Sequence, residues 1–178
     1  VETMSQFMIA RHKLIERLPS IDAATMDDNS NRTVYAGPSN ASANVYGRSP
    51  AWPHVNGGDI VAGRSYTSFE EAAGDKVAVI NEKTAETLFG RRDPVDQQLK
   101  IASQSYRVIG VYHSPPNLWS SGSGPEVYVP YTTFRRYVAQ WTEWASFTVR
   151  PKAGVPLRTA LDEVTTALRR SRGLRPAQ

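Results

Sequence analysis

The chain has 178 residues and a formal net charge of +4, with 40% apolar, 21% charged and 10% aromatic residues. This mix fits one domain, or two small lobes sharing a core, and excludes wholesale disorder. There is no cysteine, which excludes disulfides, thiolate nucleophiles, cysteine-bound zinc and iron–sulfur clusters. The longest apolar runs lie at Val77–Ile80 and Val108–Tyr112, far short of the roughly 20 residues a bilayer-spanning helix needs. No amino-terminal signal peptide is visible, and a start at Val1 rather than Met is what an excised or processed segment would show.

In chain order, Phe7, Met8, Leu14, Ile15 and Leu18 recur at helical spacing, and Pro19 ends that helix. Ile21–Met26 and Arg32–Tyr35 read as two short strands around Asp27–Asn31, a polar turn cluster, and the small polar stretch Gly37–Asn44 reads as loop. Val55–Val61 reads as a strand broken at Gly57 and Gly58. The clearest unit is Asp75–Gly90. There Val77–Ile80 is a strand, Asn81 an N-cap, Ala85, Leu88 and Phe89 a buried helix face, and Gly90 a stop. Leu99–Ala102 and Tyr106–Tyr112 form a predicted hairpin, and Val127–Val129 a short strand. An aromatic segment follows with a helix near 131–140, then a strand at Ser146–Arg150. Pro156 opens a helix carrying Leu157, Ala160, Leu161, Val164 and Leu168. The fold class expected is α+β.

The charge is unevenly placed: Arg150–Gln178 sums to +5, leaving −1 for the rest. Arg169, Arg170, Arg172 and Arg175 form its dense end. Such a run is a solvated helix face, a nucleic-acid patch, or a stretch near anionic lipid. Nucleic-acid binding would want aromatics interleaved for stacking, and none follows Phe147. No nucleic-acid partner is expected.

No phosphate-binding loop, dinucleotide fingerprint, hydrolase elbow or metalloprotease motif occurs. His12, His54 and His113 have no metal spacing, and the neighbours Glu70, Glu71 and Asp75 suit cap and turn roles better than acid–base work. A hydrolase built on Ser114 or Ser146 with His113 lacks any nucleophile motif. No catalytic residue, cofactor site or metal site is expected. The long Pro-, Ser- and Gly-rich stretch Ser114–Glu126 contains Leu118 and Trp119 with little regular structure to bury them. These two are the candidates for a partner contact.

Six motifs then fall in one order: AGR at Ala62–Arg64, VAVINE at Val77–Glu82, TAETLFG at Thr84–Gly90, DPVDQ at Asp93–Gln97, VIGV at Val108–Val111 and VYVP at Val127–Pro130. With FTVRPKAGVPLRTALDEV and RGLRP after them, they resemble the extracytoplasmic core domain of MacB-type, FtsX-like ABC-transporter permeases. Asp96 stands where the family usually has glycine; aspartate also tolerates turn geometry. The resemblance covers most of the chain from about residue 48 onward, and more loosely the opening helix.

The resemblance implies a periplasmic domain inserted between the first and second of four transmembrane helices of an inner-membrane permease. It implies a porter-like lobe of 1–48 and 145–178 and an inserted mixed α/β lobe of 49–144. The permease works as a homodimer with a cytoplasmic ATPase domain or subunit and, by expectation, a membrane-fusion protein. The domain itself is non-catalytic and relays ATP-driven change to periplasmic partners or substrates. Both chain ends would then return to the bilayer, placing Arg169, Arg170, Arg172 and Arg175 near it. The alternative is a free-standing periplasmic ligand- or protein-binding module.

Overall fold

The computed structural model describes residues 2–115, 124–139 and 146–171. Helix α1 (Glu2–Glu16) leads into the 16-residue strand β1 (Ile21–Ala36), which a tight turn at Gly37 and Pro38 joins to β2 (Ser39–Arg48). Helix α2 (Trp52–Asn56), strand β3 (Asp59–Gly63), helix α3 (Ser68–Ala73), strand β4 (Val77–Asn81) and helix α4 (Glu82–Phe89) follow. Strands β5 (Gln98–Ile101), β6 (Gln104–His113) and β7 (Glu126–Pro130) come next. A helical turn α5 (Tyr131–Thr133) continues as a π-helical turn over Phe134–Val138; β8 (Ser146–Pro151) and α6 (Leu157–Ser171) complete the described chain.

Six strands pair in a closed circuit: β1 with β2, β2 with β7, β7 with β4, β4 with β6, β6 with β5, and β5 back to β1 at Val34 and Tyr35. The β2–β7 and β4–β6 pairs are parallel and the others antiparallel. Two strands run long enough to take two partners along one edge. β6 pairs β5 with its first residues and β3 with its last. β1 pairs β8 over Ile21–Asp27 and reaches β5 ten residues beyond Ala24, at Val34.

The α+β class expected from the sequence holds, but three local expectations do not. Asp27–Asn31 is no turn: β1 runs straight through it, because Asp27, Asp28 and Asn31 find partners on β2 and in the π-helical turn. Asp27 meets Arg48, Asp28 meets Arg135, and Asn31 exchanges hydrogen bonds with Ser42 and Asn44 across the ladder. Gly37–Asn44 is mostly strand rather than loop, since Ala43 and then Val45 alternate inward. Small side chains hide that period of two. Val55–Val61 divides between α2 and β3, with Gly57 and Gly58 at φ 75 and 83 between them.

The Asp75–Gly90 unit is as expected. Asn81 Oδ1 accepts from Thr84 N at 2.9 Å, and Leu88 and Phe89 are buried. The hairpin turns at Ala102 and Ser103, both at positive φ. Asp96 also lies at φ 67, the left-handed region where glycine is unstrained. That backbone explains the substitution noted in DPVDQ. The glycines of AGR and VIGV meet at one crossing: a Cβ on Gly63 would sit 2.2 Å from Ile109 O, and one on Gly110 2.2 Å from Arg64 O. Neither position admits a side chain.

The core falls into three groups. The largest fills the strand circuit and includes Val34, Val45, Ile80, Leu88, Ile101 and Tyr106. A second is aromatic, with Trp52, Tyr66, Tyr112 and Tyr128. The third joins the chain ends: Ile15 of α1 and Ala160 and Val164 of α6 pack on Ile21 and Ala24 of β1.

Candidate functional site

Two arrangements stand out, and both begin at β1. On β2, Tyr46 and Arg48 are two residues apart and so share a face. The Arg48 guanidinium lies 4.5 Å from the Tyr46 ring centre, 5.3 Å from Tyr128 and 5.8 Å from Trp52. Trp52 stacks on Tyr128 at 4.3 Å and meets Tyr112 edge-on at 4.6 Å. The negative ring faces enclose the cation, and its charge is met by Asp27, with Arg48 Nε 2.6 Å from Oδ1. The other oxygen of Asp27 accepts from Thr148 Oγ1 of β8 at 2.6 Å. Burial raises the Asp27 carboxyl above its ordinary value, partly opposed by Arg48 and Thr148. Beside it, Asp28 Oδ2 lies 3.2 Å from Arg135. This cage is filled by the chain's own guanidinium, so its role is cohesion rather than ligand capture.

The second arrangement is a cleft of about 500 Å³ between α1 and α3. Its α1 wall carries Ile9, His12, Lys13 and Glu16, positions spaced to share a helix face. Glu71 and Ala72 form the α3 wall, and Met26, Pro50 and Ala51 also line the space. His12 Nε2 donates to Ala24 O at 2.9 Å and lies 3.3 Å from Ser49 Oγ and 3.5 Å from Glu16. That nitrogen is committed to holding α1 against β1. Glu71 accepts from the Tyr131 backbone N–H, yet its Oε1 is enclosed without a hydrogen-bond partner. Burial first, and the facing Glu16 second, push the Glu71 carboxyl up to about 7.

Its neighbour Glu70 behaves oppositely. It closes a capping box with Thr67 at the start of α3 and takes both Arg64 nitrogens at 2.9 and 2.8 Å. Arg64 and these hydrogen bonds bring its carboxyl down to about 2. Adjacent carboxylates thus differ because Glu70 is paired with a cation, whereas Glu71 has an enclosed oxygen and faces a second carboxylate. Cap chemistry is the structural role expected for Glu70. The Arg64 of AGR thereby gains a role too, fastening α3 to the end of β3.

The residues singled out in the sequence are dispersed. Leu118, Trp119, Arg172 and Arg175 lie outside the described residues. Arg169 and Arg170 are exposed in the last turn of α6, and neither lines the cleft or the cage. His54 pairs with Asp22 at 2.7 Å and His113 with Glu82 at 2.6 Å, both at the surface. Of the aromatic segment, Tyr128, Tyr131 and Phe134 are core. Arg48, Asp27 and the α1–α3 cleft went unread; the Tyr46–Arg48 spacing followed by Trp52 is the one signal that bears on them. Among the described residues no group of His, Asp and Glu is placed to hold a metal ion, and no helix is long and apolar enough to cross a membrane.

Residues 3–167 match the family described as the MacB-like periplasmic core domain. The macrolide export ATP-binding/permease protein MacB of Shewanella sp. is 25% identical over 160 residues, 90% of this chain and 25% of that protein. Its namesake from Mannheimia succiniciproducens is 28% identical over 135 residues, 76% of this chain and 21% of that protein. The chain therefore spans about a quarter of the length of these relatives. Among solved structures, the periplasmic region of MacB from Actinobacillus actinomycetemcomitans superposes with a TM-score of 0.79 at 23% identity, covering 93% of this chain and 74% of that one. The extracellular domain of the ABC-type transporter YknZ from Gram-positive bacteria superposes with a TM-score of 0.76 at 19% identity, covering 93% of this chain and 84% of that one. With a family match across nearly its whole length and the same α+β fold, this chain belongs to the MacB-like periplasmic core domain family.

Proposed function

We propose that this chain is the extracytoplasmic domain of an ABC-transporter permease, and that it relays ATP-driven conformational change to periplasmic partners or substrates. The observation that carries the reading is the match over residues 3–167 to a family whose relatives are export ATP-binding/permease proteins. The domain is the non-catalytic part of such a machine; ATP hydrolysis belongs to a cytoplasmic domain or subunit. Residues 1–48 and 145–178 form the porter-like lobe and 49–144 the inserted one. The packing of α1 and α6 on one patch of β1 supports grouping the two ends. The homodimeric permease sits in the inner membrane, with a membrane-fusion protein as partner.

Two measurements test this. The native gene, sequenced on both sides of this segment, is expected to encode one apolar stretch of about 20 residues before it and three after it. Stop or signal-peptide features on both flanks would overturn the permease assignment. In the intact transporter, replacing this domain by a flexible linker is expected to leave ATP hydrolysis in membranes while abolishing export. Unchanged export would remove the relay.

Site residues are tested in the same transporter. Leu118→Ser with Trp119→Ser is expected to weaken partner binding, because apolar side chains in a stretch so rich in Pro, Ser and Gly are suited to an interface. Changing Arg169, Arg170, Arg172 and Arg175 to Gln is expected to weaken the preference for anionic lipid, at about 1 kcal/mol per arginine near the surface. Unchanged partner affinity or unchanged lipid preference sinks the corresponding assignment.

A further inference from the structure

We propose that the cleft between α1 and α3 binds a primary alkylammonium group, a charged nitrogen on an apolar stem. The cleft is concave, about 500 Å³ in volume, and partly apolar through Ile9, Met26, Pro50, Ala51 and Ala72, the combination that holds a small ligand. Its two carboxylates, Glu16 on α1 and Glu71 on α3, face each other and repel. A cation seated between them converts that repulsion into two attractions, with screening weakest on the enclosed Glu71 side.

Of the other polar groups of the lining, His12 and Thr132 are engaged elsewhere, Thr132 Oγ1 donating to the Glu71 backbone carbonyl. His12 Nε2 is held by Ala24 O, Ser49 and Glu16. Lys13, the one lysine or arginine of the lining among the described residues, is exposed. Glu71 Oε1 lacks a hydrogen-bond donor, and a buried acceptor of this kind gains most from a charged N–H group. An anion would meet two carboxylates. A neutral ligand would put no countercharge between Glu71 Oε1 and Glu16.

A primary ammonium fits better than a quaternary one. It brings three N–H donors to carboxylate oxygens. Among the described residues its lining has no phenyl, phenol or indole ring to receive a quaternary cation through its face. The same chemistry comes from a free amine or from a lysine side chain of another protein. The inference stands on the cleft alone and does not depend on the transporter reading.

The test is a titration of the ¹⁵N-labelled chain, followed by amide NMR, with n-butylammonium chloride. Controls are n-butanol and tetramethylammonium chloride. The expected result is saturable shifts on Ile9–Glu16 and Ser68–Ala72, with both controls at least about tenfold weaker. Affinity is expected to rise between about pH 6 and pH 8, because the ionised form of Glu71 is the receptor. Glu71→Gln is expected to weaken binding about tenfold and to remove that pH dependence. Lys13→Gln is expected to tighten it, by removing a competing cation. A parallel titration with acetyl-Ala-Lys-Ala-amide separates the sources: saturation at the same amides identifies a lysine side chain, and its absence beside amine binding identifies a free amine. Absence of saturation with n-butylammonium, equal binding of either control, or binding indifferent to Glu71→Gln overturns the proposal.

Discussion

Replacing Arg48 by alanine is expected to lower the unfolding free energy by about 3–5 kcal/mol, the range measured when one member of a buried ion pair is removed. Against a total stability of about 5–15 kcal/mol for a domain, that is a large share. The side chains of Arg48 and Asp27 are only 15% and 12% exposed, so Asp27 left behind has little access to water. Its remaining partner would be the Thr148 hydroxyl, which cannot neutralise a charge. The rings of Tyr46, Trp52 and Tyr128 would also lose the cation they enclose. Asp27→Asn added to Arg48→Ala is expected to recover part of the loss, because the stranded charge disappears. Urea unfolding of the two variants and the parent measures this. A loss below about 1 kcal/mol for Arg48→Ala would show that the pair behaves as a solvated surface contact.

The position of Asp27 gives that number a structural meaning. It is the residue at which β1 passes from its β8 pairing to its β2 pairing, and it is in register with Ser146 on one side and Arg48 on the other. The end-helix cluster lies on the residues before it and the strand circuit on those after it. Two neighbouring carboxylates at this junction reach Arg48 on β2 and Arg135 in the π-helical turn. A long strand crossing between two cores is thereby pinned at its midpoint by charge rather than by apolar packing. This also explains why a run such as Asp27–Asn31 persists inside a sheet. The two carboxylates would be costly to bury there alone, and each is met by an arginine distant in sequence.

That dependence on distant partners marks what the sequence made legible. The Asp75–Gly90 unit could be read because strand, cap, buried face and stop lie within sixteen consecutive residues and agree with one another. The β5–β6 hairpin and α6 were readable for the same local reason, although the hairpin turns at Ala102 and Ser103, so that the turn begins inside the strand expected at Leu99–Ala102. β1 was not, since Asp27, Asp28 and Asn31 have the composition of a turn and only Arg48, Arg135, Ser42 and Asn44 overrule it. α3 is announced by the capping pattern Thr67–Glu70, but six residues give no helical period. The family resemblance reached the fold through motifs whose glycines, Gly63 and Gly110, are fixed by contact with opposing backbone. It could not reach the cleft, whose walls come from residues about 55 positions apart and share no motif.

Glu71→Gln is expected to stabilise the protein at pH 8 by about 3 kcal/mol and to have little effect near pH 4. In the unfolded chain Glu71 titrates near its ordinary 4.5; in the folded protein burial and the facing Glu16 bring it to about 7. Between those values the folded protein holds a proton that the unfolded chain has released. The favourable contribution of the neutral acid is therefore complete below about 4.5 and is lost as pH rises through about 7. Above that point the protein must either bury a charge beside Glu16 or give up packing around α3. Glutamine keeps the shape of the neutral acid and never ionises, so it avoids the loss. Urea midpoints of parent and variant at pH 4 and pH 8 check the sign directly, with the gap opening as pH rises above about 4.5. A variant no more stable than the parent at pH 8 would mean that Glu71 is solvated and that the two walls of the cleft do not repel. Glu16→Gln separates the two causes: it is expected to recover a smaller part of the same gap, because the facing charge ranks second to burial in raising Glu71.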